Sequence, residues 1–169
     1  MIKTVSTDSI QDRGTPQSLV DQIAKRFGVY FVLDLAANEE NKKCAYYISE
    51  QENSLISPWS VMKNELGSRF IVDCEPSNRA AWLNPPFKSV GPWMEKCKIE
   101  SAKGCKIISL TLSSLGSNWY RDHVEGNALS LILRDRVTFD GCKYPMPKEI
   151  MITLWGFQMT GLGFWSWKK

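Results

Sequence analysis

Asn84-Pro85-Pro86-Phe87 is the segment whose residue types most directly imply chemistry. Two successive prolines hold φ at about −65° and remove two N–H donors, leaving a stiff turn that offers oxygens and no competing amides. The side-chain carbonyl of Asn84 and the main-chain carbonyl of Pro85 could accept both hydrogens of one exocyclic amine, while the Phe87 ring stacks on the flat heterocycle that carries it. Such an amine is a poor nucleophile because its lone pair is delocalised into the ring. Two acceptors that draw it towards tetrahedral geometry localise that pair on nitrogen, and they strengthen as positive charge develops. Methylation by a sulfonium donor has these needs, and the donor is already activated. The protein then has only to align nitrogen, carbon and sulfur, and no metal is required. An adenine amine inside duplex DNA is inaccessible, so the base must first rotate out of the stack. Asn-Pro-Pro is also an ordinary turn signal, and the elements around it decide between the two readings.

Those elements alternate. Thr15-Pro16 opens a helix with an N-cap hydroxyl and a first-turn proline; Leu19, Val20, Ile23, Ala24 and Phe27 recur at helical spacing, and Gly28 stops it. Residues 29–35 form an apolar, β-branched run that suits a strand buried on both faces, with Asp34 at its carboxyl end. A short helix is expected through Tyr46-Tyr47, and residues 50–68 read as irregular. Residues 70–72 and 80–83 are short strands, the second running directly into Asn84. Gly91-Pro92 starts a helix that carries Trp93, Met94, Cys97 and Ala102 towards a core. Strands are expected at 105–112, 129–133, 136–139 and 150–155, with a short helix capped by Ser117 and containing Trp119, Tyr120 and Val124. The expectation is an α/β, three-layer domain with a mostly parallel sheet and antiparallel C-terminal strands. In such sheets ligands lie beyond the carboxyl ends of the strands, where Asp34 and Asn84 both fall.

Composition narrows the class further. The chain has 169 residues, 43% of them apolar and 23% charged, which fits one globular domain and excludes disorder, collagen and coiled coil. We divide it into a flexible arm over 1–12 and a compact domain over 13–169. No apolar run approaches the roughly 20 residues that cross a bilayer, and the polar start lacks a signal peptide's apolar centre, so a cytoplasmic protein of a bacterial host is expected. Five cysteines without a C-x-x-C pair, and His123 alone, fit neither a zinc site nor a disulfide framework, and the cysteines are expected to be reduced and mostly buried. The net charge of +3 hides an asymmetry: residues 1–83 hold 9 basic and 11 acidic groups, residues 84–169 hold 12 and 7. The second half is the side expected to meet a phosphate backbone.

Five pieces in order carry a family likeness: Thr15-Pro16-Gln17 before a helix, Leu33-Asp34-Leu35-Ala36-Ala37 followed by Glu40-Asn41-Lys42-Cys44, Trp82-Leu83-Asn84-Pro85-Pro86-Phe87, Gly91-Pro92-Trp93, and Arg134-x-Arg136-x-x-Phe139. Over roughly residues 12–155 the chain resembles the phage and prophage DNA adenine-N6 methyltransferases, a compact group of S-adenosylmethionine-dependent, Rossmann-like enzymes. The resemblance implies that Thr15, Pro16, Asp34 and Ala36 build the S-adenosylmethionine pocket, Ala36 giving the close approach that a glycine-rich loop gives elsewhere. Asp34 binds a ligand hydroxyl or amine on this reading, or else caps a loop at the sheet edge. Asn53-Ser54-Leu55 is implied to flank the adenosine moiety, with an amide at 53 where the family pattern carries a carboxylate. Phe87 replaces the more usual tyrosine and keeps the stacking ring.

A chain of this length leaves no room for a separate target-recognition domain, so sequence preference must come from loops. Residues 113–127, with Asn118, Tyr120 and Arg121, and the tail after 140 are the candidates. Lys88, Arg121, Arg134 and Arg136 could grip phosphates, or simply form a solvated surface. His123 receives no catalytic role, and the tryptophans near the C-terminus are expected mainly to pack against the sheet or a subunit contact. The partner is duplex DNA with a flipped adenine, bound by a monomer or weak homodimer without membrane or metal. Two further readings share these residues: methyl transfer to another amine (cytosine N4, an RNA base, glutamine), and a catalytically degenerate factor that binds DNA or donor.

Overall fold

A computed structural model describes residues 14–59, 62–63, 69–70 and 78–168 of the chain. The arm expected over 1–12 and the strand residues 71–72 lie outside the described residues. Helix α1, Gln17–Phe27, buries Leu19, Val20 and Ile23 and ends at Gly28, whose φ of 63° is the left-handed conformation that glycine tolerates. Its N-terminus differs from the expectation: Pro16 itself is the cap, its carbonyl accepting from the Leu19 N–H at 3.0 Å, and no side chain caps the helix. The Thr15 hydroxyl is thereby left buried and without a partner among the described residues.

Strands β1 (Tyr30–Asp34), β2 (Tyr46–Tyr47), β5 (Arg79–Leu83), β6 (Ile107–Leu112), β7 (Leu129–Leu133), β8 (Ile150–Trp155) and β9 (Gly161–Trp165) form one seven-stranded mixed sheet in the order β2-β1-β5-β6-β8-β7-β9. A separate antiparallel pair joins β3 (Met62–Lys63) to β4 (Arg69–Phe70), within a segment read as irregular up to 68. The pairings β2-β1, β1-β5, β5-β6 and β7-β9 are parallel; β8 pairs antiparallel with both β6 and β7. The fold is therefore α/β with a mostly parallel sheet, and of the C-terminal strands only β8 runs against the rest.

Three sequence expectations give way here. Tyr46–Tyr47 is a strand, not a helix, paired with Leu33 and Asp34. Residues 136–139 are not a strand: Val137 and Phe139 are buried, but Arg136 turns aside to bond the loop at 146–147. Gly161–Trp165, read as a glycine-aromatic tail, is the edge strand; Gly163 lets the backbone approach Leu131, whose side chain would lie 3.1 Å from an added Cβ.

Alternation along the strands sends two apolar sets to opposite faces. Trp82, Ile108, Leu110, Ile152 and Leu154 pack with Leu19, Val20 and Ile23 of α1. Ala81, Leu83, Ile107, Met151 and Trp155 pack with Met94 and Cys97 of helix α2 (Gly91–Ala102) and with Tyr120 and Val124 of a π-helical turn over Tyr120–Val124. Ser117 caps that turn as expected, its hydroxyl accepting from the Tyr120 N–H at 3.4 Å. Strand β1 breaks the alternation. Phe31 and Leu33 are two residues apart yet lie on opposite faces, because the register with β5 shifts between them. This bulge re-aims the rest of the strand and brings Asp34 opposite Trp82.

Candidate active site

The strand order reverses between β1 and β5: β1 continues outward to β2, whereas β5 continues the other way to β6. Loops leaving the carboxyl ends of β1 and β5 therefore diverge and open a crevice, the place where sheets of this kind take ligands. A cleft of about 500 Å³ occupies it, walled by the loop after β1 (Leu35 to Asn38, with Asn41), the loop after β2 (Ile48 to Gln51, Asn53 and Ser54), the proline turn (Asn84, Pro86) and Trp93. A recess of about 20 Å³ adjoins it, lined by Gly14, Thr15, Asp34, Ala36, Asn41, Lys43, Trp82 and Asn84. Ala36, Asn41 and Asn84 belong to both.

Asp34 is 2% exposed and organises the first loop. Its Oδ1 accepts from the Ala36 N–H at 3.3 Å and its Oδ2 from the Lys43 N–H at 3.0 Å. Burial pushes its carboxyl up to about 6, although both N–H bonds and the Lys43 ammonium pull the other way. The two N–H bonds make Asp34 a cap for this loop, and its carboxylate also faces the recess. The Lys43 ammonium is held by Asp140 at 3.2 Å, and the Asp140 N–H donates to the Gly14 carbonyl at 2.9 Å, closing the recess from the other side. Beyond Asp34, Asn38 and Asn41 clamp each other: the Asn38 N–H donates to Asn41 Oδ1 at 2.8 Å and the Asn41 N–H to Asn38 Oδ1 at 3.0 Å. The nearby Cys44 thiol is pushed up to about 12 by burial and by the Asp34 charge, so it stays protonated and is no nucleophile.

The second loop is built by a capping box. The Ser49 N–H and hydroxyl both donate to Glu52 Oε2, at 2.8 and 2.9 Å, and the Glu52 N–H returns to the Ser49 oxygen at 3.4 Å. Asn53 has φ of 51°, a left-handed position that asparagine tolerates, and its Oδ1 accepts from the Leu55 N–H at 3.3 Å. That geometry suits an asparagine and would suit an aspartate equally. Trp59, 1% exposed, donates its indole N–H to the carbonyl and hydroxyl oxygens of Ser54, at 2.8 and 2.9 Å, anchoring the loop to the core.

At the proline turn, Pro85 is buried and Pro86 exposed. The Asn84 Oδ1 is buried and has no hydrogen-bond partner among the described residues. An acceptor left this way costs about 1–3 kcal/mol relative to one that meets a donor. Phe87, in a 3₁₀ turn over Phe87–Ser89, is half-buried and meets Phe139 edge-to-face at 6.2 Å between ring centres.

Of the residues expected at the donor pocket, Ala36 and Asn53 line the cleft, Thr15, Asp34 and Ala36 line the recess, and Pro16 and Leu55 line neither. Among the expected nucleic-acid contacts, Lys88, Asn118, Arg121, Arg134 and Arg136 are exposed, whereas Tyr120 is 8% exposed and packs with Val124 and Trp155. Tyr120 is a core residue, because the π-helical turn directs its ring inward. The sequence reading missed Ser49, Glu50 and Gln51. Recognising Tyr46–Tyr47 as a strand would have placed them at its carboxyl end, on the crevice. Among the described residues no helix is long and apolar enough to cross a membrane, and no three His, Cys, Asp or Glu side chains gather as a metal site would require.

A mixed α/β sheet with a polar-lined cleft at its switch point, and a proline-stiffened acceptor turn on the cleft wall, has the architecture of a Rossmann-like methyltransferase. Residues 3–150 match the family described as DNA N-6-adenine-methyltransferase (Dam), and the chain belongs to that family. It is 28% identical over 130 residues to the DNA N-6-adenine-methyltransferase of Escherichia phage T1, covering 76% of this chain and 47% of that protein. It is 24% identical over 118 residues to the DNA N-6-adenine-methyltransferase of Haemophilus phage HP1, covering 70% of this chain and 58% of that one. The chain thus spans about half the length of these relatives.

Proposed function

We propose that the chain transfers the methyl group of S-adenosylmethionine to the N6 amine of adenine in duplex DNA, as a single three-layer domain acting as a monomer or weak homodimer in the cytoplasm of a bacterial host. The observation that carries this reading is the unpartnered Asn84 Oδ1 at the junction of cleft and recess. Family membership and the names of the phage relatives support adenine in DNA as the acceptor.

The residues around the cleft fit the donor. Its volume, about 500 Å³, is in the range of cofactor sites. The partly exposed Trp93 offers apolar surface to a purine, and Glu50, the one carboxylate among the residues lining the cleft, suits the paired hydroxyls of a ribose. The Thr15 hydroxyl, Asn41 and the Asp34 carboxylate suit the amino-acid end of the ligand from the recess side. When bound, the donor supplies a methyl group on positively charged sulfur.

Asn84 Oδ1 and the Pro85 carbonyl then accept the two hydrogens of the adenine amine and hold its nitrogen in line with that methyl group. Both oxygens strengthen their bonds as the nitrogen gains positive charge, so they bind the transition state more tightly than the ground state. Phe87 provides the stacking surface for the flipped base. The amine's proton passes to solvent after transfer, and no side-chain base is needed.

The test is incubation of the protein with isotopically labelled S-adenosylmethionine and duplex DNA, followed by nucleoside mass spectrometry. Labelled N6-methyldeoxyadenosine is the expected product. Label on cytosine N4, on RNA or on a glutamine side chain, or donor binding without transfer, would overturn the proposal.

A further inference from the structure

The exposed arginines beyond the carboxyl end of the sheet are not equivalent. Arg121 is already neutralised, its Nε and a terminal nitrogen gripping the two carboxylate oxygens of Asp122 at 2.7 and 3.1 Å. Arg136 spends a terminal nitrogen on the carbonyls of Met146 and Pro147, tying two loops together. Arg134 does neither. It leaves the end of β7 with its guanidinium 4.8 Å from the centre of the Phe164 ring, and no carboxylate pairs with it among the described residues.

Its setting is rigid. The Arg134 N–H donates to the Trp165 carbonyl at 2.9 Å, extending the β7-β9 ladder. The Trp167 indole donates to the Asp135 carbonyl at 3.0 Å, and the Lys168 N–H to Asp135 Oδ2 at 3.3 Å. The two strand ends are thus zipped together, and the exposed Lys168 lays its ammonium 5.1 Å from the centre of the Trp167 ring. Phe164 is 59% exposed, so the platform under the guanidinium is itself at the surface. A guanidinium held by an aromatic face keeps its fork of N–H donors free and loses little freedom when it meets a phosphate.

The sheet fixes where that phosphate would lie. From β5 to β7 there are three strand spacings of about 4.8 Å, roughly 14 Å across the sheet. Leu83 stands level with Ser130 through the pairings Leu83-Ser109, Ser109-Thr153 and Thr153-Ser130. Arg134 is therefore three residues further along its strand than Asn84 is along its own, roughly 10 Å at about 3.3 Å per residue. The two backbone positions are about 17 Å apart, the span of about five base pairs at 3.4 Å each along a duplex axis laid in that direction.

We propose that Arg134, stacked on Phe164, grips a backbone phosphate of the target duplex about five base pairs from the flipped adenine. The location of that adenine rests on the methyl-transfer reading above. The partner is duplex DNA because the surface offers a preset bidentate cation, and the neighbouring carboxylate, Asp135, is already engaged by the Lys168 N–H. The contact fixes the duplex on the sheet and carries no base information.

Fluorescence anisotropy with a labelled duplex, at several salt concentrations, tests the contact. Arg134→Ala should weaken binding about threefold to tenfold and reduce the slope of log affinity against log salt by about 0.9, the value of one phosphate. Arg134→Lys should restore most of the slope, and Phe164→Ala should weaken binding with the slope retained. Arg26→Ala, an exposed cation in the last turn of α1 at the opposite end of the sheet, should bind as the parent does. Phosphate ethylation interference should show a position about five base pairs from the methylated adenine that matters to the parent and not to Arg134→Ala. An Arg134→Ala protein with the parent's slope and interference pattern would overturn the inference, and DNA methylation by that protein would leave the methyl-transfer reading standing. Arg134-dependent duplex binding without any methyl transfer would separate the two the other way.

Discussion

Asp34 and Trp82 are register partners across β1 and β5, and they meet because β1 bulges between Phe31 and Leu33. An unbulged β1 would turn the carboxylate to the face of α2. The bulge sends it instead to the face of α1, where Thr15 and Asn84 complete the recess. One extra residue in a strand thus brings together the loop that shapes the cleft and the turn proposed to activate the amine.

That placement makes Asp34 pH-sensitive in two opposed ways. Burial raises its carboxyl from 3.8 to about 6. Because the native value lies above the unfolded one, the stability tied to this group is fully present below pH 3.8 and is lost as the pH rises through about 6. The ionised form, however, is the one that accepts both the Ala36 and Lys43 N–H bonds, so the cleft wall is best held above pH 6. Urea unfolding should show the parent losing on the order of 3 kcal/mol relative to Asp34→Asn as the pH rises through this window. Over the same window calorimetry should show donor affinity rising in the parent and staying flat in the variant. A stability difference that instead grew in favour of the parent with pH would contradict the assignment.

Trp59 tests the anchoring of the second loop. Trp59→Phe keeps the apolar ring and removes the donor to both Ser54 oxygens, leaving buried acceptors unsatisfied at about 1–3 kcal/mol. Chemical denaturation should show that loss, and hydrogen exchange should show faster opening of residues 49–55. Protection equal to the parent's would mean that Ser54 does not depend on the indole.

The chemistry-bearing turn was legible in the sequence because its meaning is local: two prolines after an apolar strand, and a glycine-proline helix start soon after, need no partner to be read. Strands β7 and β8 were legible for a similar reason, as apolar runs interrupted only by Ser130 and Thr153. Tyr46–Tyr47 was not, since it is two residues long and becomes a strand only by pairing with Leu33 and Asp34. Gly161–Trp165 was hidden by its glycines, which read as a loop until Leu131 is seen packed over Gly163. Residues 136–139 have a strand's alternation of burial without strand pairing, because Arg136 bonds carbonyls of the loop at 146–147. The bulge in β1 left no mark in the sequence at all. Tertiary pairing decides such cases, and with them it decided the visibility of Glu50.

Glu50 is exposed to the cleft, and its own main-chain carbonyl, which accepts from the Asn53 N–H at 3.1 Å, survives a side-chain change. Glu50→Gln should therefore fold as the parent does. It should bind S-adenosylmethionine at least about tenfold more weakly in calorimetry, the scale of one lost charge-assisted hydrogen bond. Unchanged affinity would remove Glu50 from the donor pocket.

Single-turnover methylation by Asn84→Ala tests the central claim most directly, with donor affinity measured on the same protein. We expect transfer to fall by about 10²–10³-fold, the scale found when one preset transition-state contact is removed, while the donor Kd stays at the parent's value. Transfer at the parent's rate, or a loss of donor binding large enough to account for the whole effect, would contradict it.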